Sequence, residues 1–404
     1  MLLAFVIFFL ILSFLVVIHE LGHFMAAKKS GIAVHEFGFG LPPKIFGKKY
    51  GETEYTINAL PIGGFVRIEG EDALEIDTSN KKSFINKSPS VKLFVLMAGV
   101  LMNIALAIVL YYFFFIFNNF ISNPLLKFAN YNFLMAREVK IDTAISGIDN
   151  KELEGKINEG DLIYNVEYVG CKTSSCALNS LNSNDFTNKN KSEVINTISK
   201  SVSLESFQSF INNSNQQSVK IYLYNASTRK FREVLANPYF DKDLNRNILG
   251  LYLGSIMYLD YGGNLFSKIL SSPIHSINVI GYSSVSFAKL ISTSFTTGDI
   301  KPLSSGVSGP IGIFTIVKAV LESRSPDIFW LIVDLSALIS LSLALMNALP
   351  IPALDGGRAM FVLFEVFFRK KINSNYEAYI HRVGMVFLLL LIAIVTLKDF
   401  INLF

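Results

Sequence analysis

The stretch MLLAFVIFFLILSFLVVIHELGHF, Met1 to Phe24, decides how the rest of the chain is read. From Met1 to Ile18 it is apolar except for Ser13, and about 20 such residues cross the hydrocarbon core of a bilayer as a helix. A secretory signal places basic residues ahead of its apolar run. Here the first is Lys28, after the run, and no convincing small-residue cleavage site follows, so a retained anchor is expected. The run ends in Val17-Ile18-His19-Glu20-Leu21-Gly22-His23-Phe24, where three chemically able side chains stand at the edge of an apolar span.

Composition extends this reading to the whole chain. Of 404 residues, 51% are hydrophobic and only 17% charged, against about 25% charged in a soluble domain. Such a chain cannot cover its apolar surface with its own charges, so part of that surface must face lipid. Disordered, collagenous and disulfide-scaffold classes are excluded. A net charge of +4, scattered along the chain, gives no footprint for nucleic acid, and none is expected as a partner.

Further apolar runs cover Leu93 to Phe117, with Asn103 its most polar member, Ile328 to Leu349, and a shorter one, Val383 to Leu397, that begins nearer Ala378. Lys and Arg crowd the stretch from Lys28 to Lys92, and again Arg358, Arg369, Lys370, Lys371 and Arg382, whereas only Lys127 precedes Arg137 after the second run. By the positive-inside rule both basic loops are cytoplasmic, and both termini and the long middle segment lie outside. Residues 265–295 hold apolar positions at helical spacing but are Ser- and Thr-rich, with Lys268, His275 and Lys289. They read as an amphipathic helix on the outer membrane surface, a marginal fifth span being the alternative.

The expected fold class is therefore a polytopic α-helical membrane protein of about four transmembrane helices with an inserted β-rich extracytoplasmic domain. Its segments are a first helix over 1–25, a cytoplasmic loop over 26–92 with a membrane-associated β-hairpin at about 50–70, and a second helix over 93–117. An external region follows over 118–262, then the surface segment over 263–326, a third helix over 327–358, a cytoplasmic segment over 359–377 and a fourth helix over 378–404. The middle region is polar and Asn- and Ser-rich, with strand-like runs such as Val219 to Tyr224 and a surface insertion from Lys172 to Lys191. Cys171 and Cys176 fall in it, open between a disulfide and two free thiols and given no chemical role.

On a helix, positions i and i+4 share a face, so His19 and His23 can offer two imidazole nitrogens to one zinc ion, with Glu20 placed beside a water on that ion. This is the H-E-x-x-H pattern of zinc peptidases, and two of the chain's 5 His are spent on it. Catalytic zinc usually takes three protein ligands. The third must lie at the same depth and on the same side, and Asn347-Ala-Leu-Pro350-Ile-Pro352-Ala-Leu-Asp355-Gly356-Gly357-Arg358 ends the third span there. Pro350 and Pro352 interrupt the helix, Gly356 and Gly357 permit a reversal, and Asp355 is the candidate ligand. An unpaired fifth span would instead carry Asp355 to the opposite face from His19.

H-E-L-G-H on the first span with N-x2-P-x-P-x2-L-D-G on the third resembles the site-2 protease family of intramembrane zinc metalloproteases, the bacterial regulator-of-sigma-E protease type most of all. Glu36-Phe37-Gly38-Phe39-Gly40, Leu60 to Arg67 and Gly306 to Gly312 support the resemblance over nearly the whole chain. It implies a multi-pass protein of the bacterial inner membrane, with one periplasmic PDZ-like domain at about 139–254 in which Asn158 to Ile163 resembles the G-D-x-I stretch. It implies Zn2+ on His19, His23 and Asp355, catalysis by Glu20, and hydrolysis of peptide bonds within transmembrane segments of single-span proteins in the bilayer, such as anti-sigma factors or remnant signal peptides. Peptide tails are the implied ligands of the PDZ-like domain. Among candidate substrate-binding residues, Asn347 can bond a freed backbone group, and Tyr55 to Ile68, alternating around Pro61 and Gly63-Gly64, offers an edge for strand addition. Many relatives have A-G-P where this chain has Ala98-Gly99-Val100, and Asn103, the other candidate, follows. Asp334 reads as snorkelling to the interface, and His35, His275 and His381 receive no role. The rival readings are an ordinary membrane-anchored zincin, which leaves the Asp355 turn unexplained, and a scaffold with a vestigial metal site, which has no need of Glu20.

Overall fold

The computed structural model describes residues 1–71, 80–126, 131–170, 176–226, 228–299, 308–323, 325, 327–369 and 374–401. Helix α1 (Leu2–Lys29) is followed by strands β1 (Val34–Tyr50) and β2 (Thr53–Ile68), helix α2 (Pro89–Phe117), and strands β3 (Leu125–Leu126), β4 (Arg137–Ile148) and β5 (Asp161–Tyr168). Helices α3 (Lys191–Ile198) and α4 (Leu204–Asn212) precede strands β6 (Val219–Asn225), β7 (Lys230–Ala236), β8 (Tyr239–Asp241), β9 (Arg246–Ile248) and β10 (Leu251–Asp260). The chain closes with α5 (Leu265–Thr297), α6 (Pro310–Glu322), α7 (Ile328–Ala348), α8 (Asp355–Phe368) and α9 (Ser374–Ile401). Among the described residues, four helical stretches, Leu2–Lys29, Pro89–Phe117, Ile328–Ala348 and Tyr376–Ile401, are long and apolar enough to cross a membrane. Helix α5, broken in composition by Ser, Thr and Lys and carrying Pro273, is not among them.

The described residues form two compact units, one of Met1–Tyr111, Val279–Glu322 and Leu331–Phe404, the other of Tyr112–Asn278 and Ser323–Trp330. In the first, α1 is apolar all round, and its buried side is set by what packs on it. Phe8 and Leu15 join Val317 of α6 and Leu335 and Ile339 of α7 in one cluster. Helix α6 is fixed at its start by Asp399 of α9, whose carboxylate accepts the N–H groups of Gly309 and Gly312 at 2.8 and 2.9 Å. A Cβ at either glycine would lie 3.0 Å from that carboxylate, so both positions leave room for an acidic cap at a helix N-terminus. This accounts for the glycines at the end of the Gly306 to Gly312 stretch; Gly306 and Val307 lie outside the described residues.

The sheet of this unit is larger than the hairpin read from Tyr55 to Ile68. It begins at Val34, reverses at Gly51-Glu52, and folds over on itself, so that Phe37 faces Val66 on one side and Tyr55 on the other, while Tyr55 also faces Lys48. The segment Gly64 to Ile68 is therefore an edge, paired on one side only among the described residues. Across the whole sheet the apolar residues Phe39, Leu41, Phe46, Ile57 and Leu60 are exposed.

The second unit is a six-stranded sheet in the order β3-β10-β4-β5-β6-β7, covered on both faces. Along β5 and β6, Leu162, Tyr164, Tyr222 and Tyr224 enter one core with α3, while Ile163, Ile221 and Leu223 enter another with α4. Burial on both sides explains the consecutive apolar residues Leu162 to Tyr164 and Ile221 to Tyr224, where a half-buried strand would alternate polar and apolar. Asp161 of the Gly-Asp pair is fully buried, accepting from Asn158 N–H at 2.9 Å and Asn225 Nδ2 at 2.8 Å and pairing with Arg232. The stretch read as a surface insertion sends Phe186 into the first of these cores, edge-on to Tyr164. Cys171 lies outside the described residues, and with it the question of a disulfide.

Candidate active site

The H-E-x-x-H helix and the Pro-rich turn, 336 residues apart in sequence for His19 and Asp355, come together in the first unit. The Nε2 atoms of His19 and His23 are 3.1 Å apart, and Asp355 Oδ2 lies 3.0 Å from the first and 3.2 Å from the second. Both histidine residues are 7% exposed. Tetrahedral zinc at about 2.0–2.1 Å from each ligand sets its donors roughly 3.3 Å apart, so two nitrogens and a carboxylate oxygen at this spacing fit that ion. The three are the metal-competent cluster found among the described residues.

The other ring nitrogens agree with this use. His23 Nδ1 donates to Val95 O at 2.9 Å, which leaves its Nε2 lone pair directed at the cluster. His19 Nδ1 stands 3.4 Å from the amide nitrogen of Asn103, a residue with no exposure, whose Oδ1 is buried without a partner. An imidazole that ligates through Nε2 carries its proton on Nδ1. With the amide turned over, Oδ1 stands at that position and accepts the proton. Asn103 is further fixed through its backbone carbonyl, which accepts from Ser340 Oγ of α7 at 2.8 Å.

Two glycines that motif reading passed over make the close approach possible. A Cβ at Gly22, the glycine inside H-E-L-G-H, would lie 2.4 Å from Ala98 O of α2. At Gly99 it would lie 2.4 Å from His23 Nε2 and 2.7 Å from His19 Nε2. Helices α1 and α2 thus meet at backbone distance through small residues, as membrane helices commonly do, and α2 forms a wall against the imidazoles. The signal available in sequence was a glycine in an otherwise apolar span.

Glu20 is partly buried and makes no side-chain hydrogen bond among the described residues. Asn347, in the last turn of α7, is also partly buried and outside the three-donor cluster. Gly63 and Gly64 are held along α1: Ser13 Oγ, the one polar group of the first apolar run, donates to Pro61 O at 2.7 Å and accepts Gly63 N–H at 3.3 Å. Gly63 has φ +71°, and a Cβ on Gly64 would lie 2.9 Å from Gly38 O and 3.1 Å from Val17. The edge segment therefore runs beside the helix that carries His19 and Glu20. Arg358, just past the Asp355 turn, pairs with Glu71.

The second unit has a groove of about 340 Å³ between Leu204, Phe207 and Ile211 of α4 and Leu249 to Leu253 at the start of β10. Over Leu251 to Gly254 that strand pairs, among the described residues, with β4 alone, β3 facing it at Ile256 and Met257.

Residues 7–391 match the model described as Peptidase family M50. A Clostridium perfringens protein, provisionally named a zinc metalloprotease, is 28% identical over 399 residues, 98% of each chain. The regulator of sigma-W protease RasP of Bacillus subtilis is 26% identical over 436 residues, again 98% of each. The regulator of sigma E protease of Haemophilus influenzae is 25% identical over 443 residues with the same coverage.

Proposed function

Because the chain belongs to peptidase family M50, the site-2 protease family, and is a multi-pass membrane zinc metalloprotease, we propose that His19, His23 and Asp355 hold its zinc and that Glu20 is its catalytic base. The observation that carries this is the convergence of three donors from α1 and the head of α8 to within 3.0–3.2 Å of one another. When bound, zinc supplies Lewis acidity, acidifying water and polarising the scissile carbonyl. Glu20 takes a proton from that water and passes it to the amide nitrogen that leaves. Asn103 orients His19 by accepting its Nδ1 proton, a role in the metal site rather than in substrate binding.

The substrates are transmembrane segments of single-span proteins, of the anti-sigma factor or remnant signal-peptide kind, in the bacterial inner membrane. A transmembrane helix has its carbonyls bonded within itself, so it must be opened before attack. The edge from Gly64 to Ile68 takes the opened segment by strand addition alongside α1, and Asn347 bonds a freed backbone group. The second unit is a PDZ-like periplasmic domain at about 139–254. Its groove between α4 and the edge of β10, unpaired among the described residues over Leu251 to Gly254, binds a peptide tail as an added strand, filtering substrates without taking part in the chemistry.

Metal analysis tests the centre of this reading. One zinc per chain, lost in Asp355→Ala, is expected; zinc retained at full stoichiometry in that variant points to an ordinary zincin with another third ligand.

A further inference from the structure

The turn that carries Asp355 is held from outside itself. Between α7 and α8, Pro350 and Pro352 have no N–H to give, while Ile351 N–H bonds Leu349 O at 2.7 Å and Leu354 N–H bonds Ile351 O at 3.1 Å. The remaining donor belongs to Ala353, whose φ of +83° is a left-handed conformation that a Cβ disfavours. Such a residue persists only where its surroundings hold it. Its N–H donates to Nδ1 of His381 on α9 at 2.9 Å.

Helix α9 also touches the preceding residue. A Cβ at Gly384 would lie 2.4 Å from Pro352 Cβ and 2.8 Å from its carbonyl carbon, so the helix passes the turn at backbone distance. His381 and Gly384, three apart, share one helix face, and together they grip Pro352 and Ala353. On the other side Gly356 and Gly357 let α8 close on the turn, where added Cβ atoms would lie 2.2 Å from Leu349 O and 2.3 Å from Ile351 O. His381 stands outside the three-donor cluster. Among the described residues its Nε2 is buried without a partner, and the residue lines a cavity of about 430 Å³ with Glu71, Lys92 and Arg358. Among the described residues, the hydrogen bonding of this imidazole thus goes to the turn.

We propose that His381 is a positioning residue for Asp355: by accepting the Ala353 N–H it fixes the left-handed residue that aims the carboxylate at His19 and His23. The inference rests on Asp355 being a zinc ligand, and adds helix α9 to the architecture of that site.

Zinc affinity, measured on the full chain in detergent by competition with a chelator, tests it without recourse to activity. His381→Leu removes the acceptor and keeps apolar bulk, and is expected to weaken zinc binding about 10–100-fold, the usual effect of losing a group that orients a ligand. His381→Asn offers an oxygen where Nδ1 stood and is expected to bind near the wild-type level. His381→Gln offers its oxygen at the Nε2 position and is expected to be weak, which keeps the comparison available should the Leu variant fail to insert. In an Asp355→Ala background the effect of His381→Leu is expected to vanish, because both changes remove one ligand. Wild-type affinity in His381→Leu, equal weakening by Asn and Gln, or an undiminished effect on top of Asp355→Ala would each overturn the proposal. Asp355→Ala binding zinc as tightly as wild type is a different result: it removes the parent reading, and this inference with it.

Discussion

Gly99 of α2 lies directly against His23 of α1, so close that a Cβ at position 99 would stand 2.4 Å from the imidazole Nε2. That atom is one of the three donors, and the His19 Nε2 is 2.7 Å from the same point. The second apolar helix therefore forms the back wall of the three-donor cluster with bare backbone.

Gly99→Ala is expected to push one imidazole out of line. The ring of His23 cannot swing away freely, because its Nδ1 is bonded to Val95 O on the same helix as Gly99. Zinc affinity should fall by about tenfold or more, with cleavage lost in parallel and membrane insertion intact. Full zinc occupancy in Gly99→Ala at limiting metal would show that the two helices can separate at little cost.

Glu20→Gln keeps the shape of the side chain and removes its ability to accept a proton. Cleavage of a single-span reporter should drop by about 10²–10⁴ or more, with one zinc per chain retained. Chelation of the wild type should abolish cleavage, and added zinc should restore it. Comparable cleavage by Glu20→Gln would dismiss Glu20 as the base.

The readable parts of the sequence and the silent parts divide along a physical line. The candidate site was legible where residue type alone is costly in an apolar setting: His19, Glu20 and His23 at a span end, and Asp355 after two prolines, stand out because lipid tolerates them poorly, and three of them lie together in the structure. The number of spans was legible from length and apolarity. What could not be read was which helix faces touch. A helix such as α1 is apolar on every side, so no periodicity marks the face turned to α2, α6 or α7. Gly22, Gly99 and Gly384 gain meaning only from what lies opposite, and His381 only from the N–H it meets. The sheet was traced short for a related reason: Val34 to Tyr50 has Gly38, Gly40, Pro42, Pro43 and Gly47 within it, which read as loop until the folded-over partner is in place.

His275 of α5 gives the second unit a pH dependence of definite sign. It is 3% exposed, its Nδ1 is 3.1 Å from Tyr261 Oη, and the ring of Phe115 lies across it. Burial pushes its pKa from 6.5 down to about 3. The folded imidazole stays neutral while the unfolded one takes up a proton as pH falls below 6.5, so stability is lost on acidification between pH 6.5 and about 3 and is unaffected above. Hydrogen exchange in β4–β6 should report a unit less stable by about 1.4 kcal/mol at pH 5.5 than at 7.5. That difference should disappear in His275→Gln. An equal difference in that variant would assign it to other groups.

The edge from Gly64 to Ile68 allows strand addition to be separated from mere packing. In a strand, successive N–H groups point to opposite sides, and on an edge one set faces the sheet while the other faces whatever docks. Proline removes one N–H at a time and is tolerated on an edge only where that N–H points outward. A proline scan through Phe65, Val66 and Arg67 should therefore split by parity. At one parity, cleavage should fall while zinc content and thermal unfolding remain those of the wild type, because only the bonds to substrate are lost. At the other, the pairing with Phe37 and Gly38 breaks, and stability should fall along with cleavage. Losses without alternation would mean that the segment shapes the site by packing along α1, and strand addition would have to be given up.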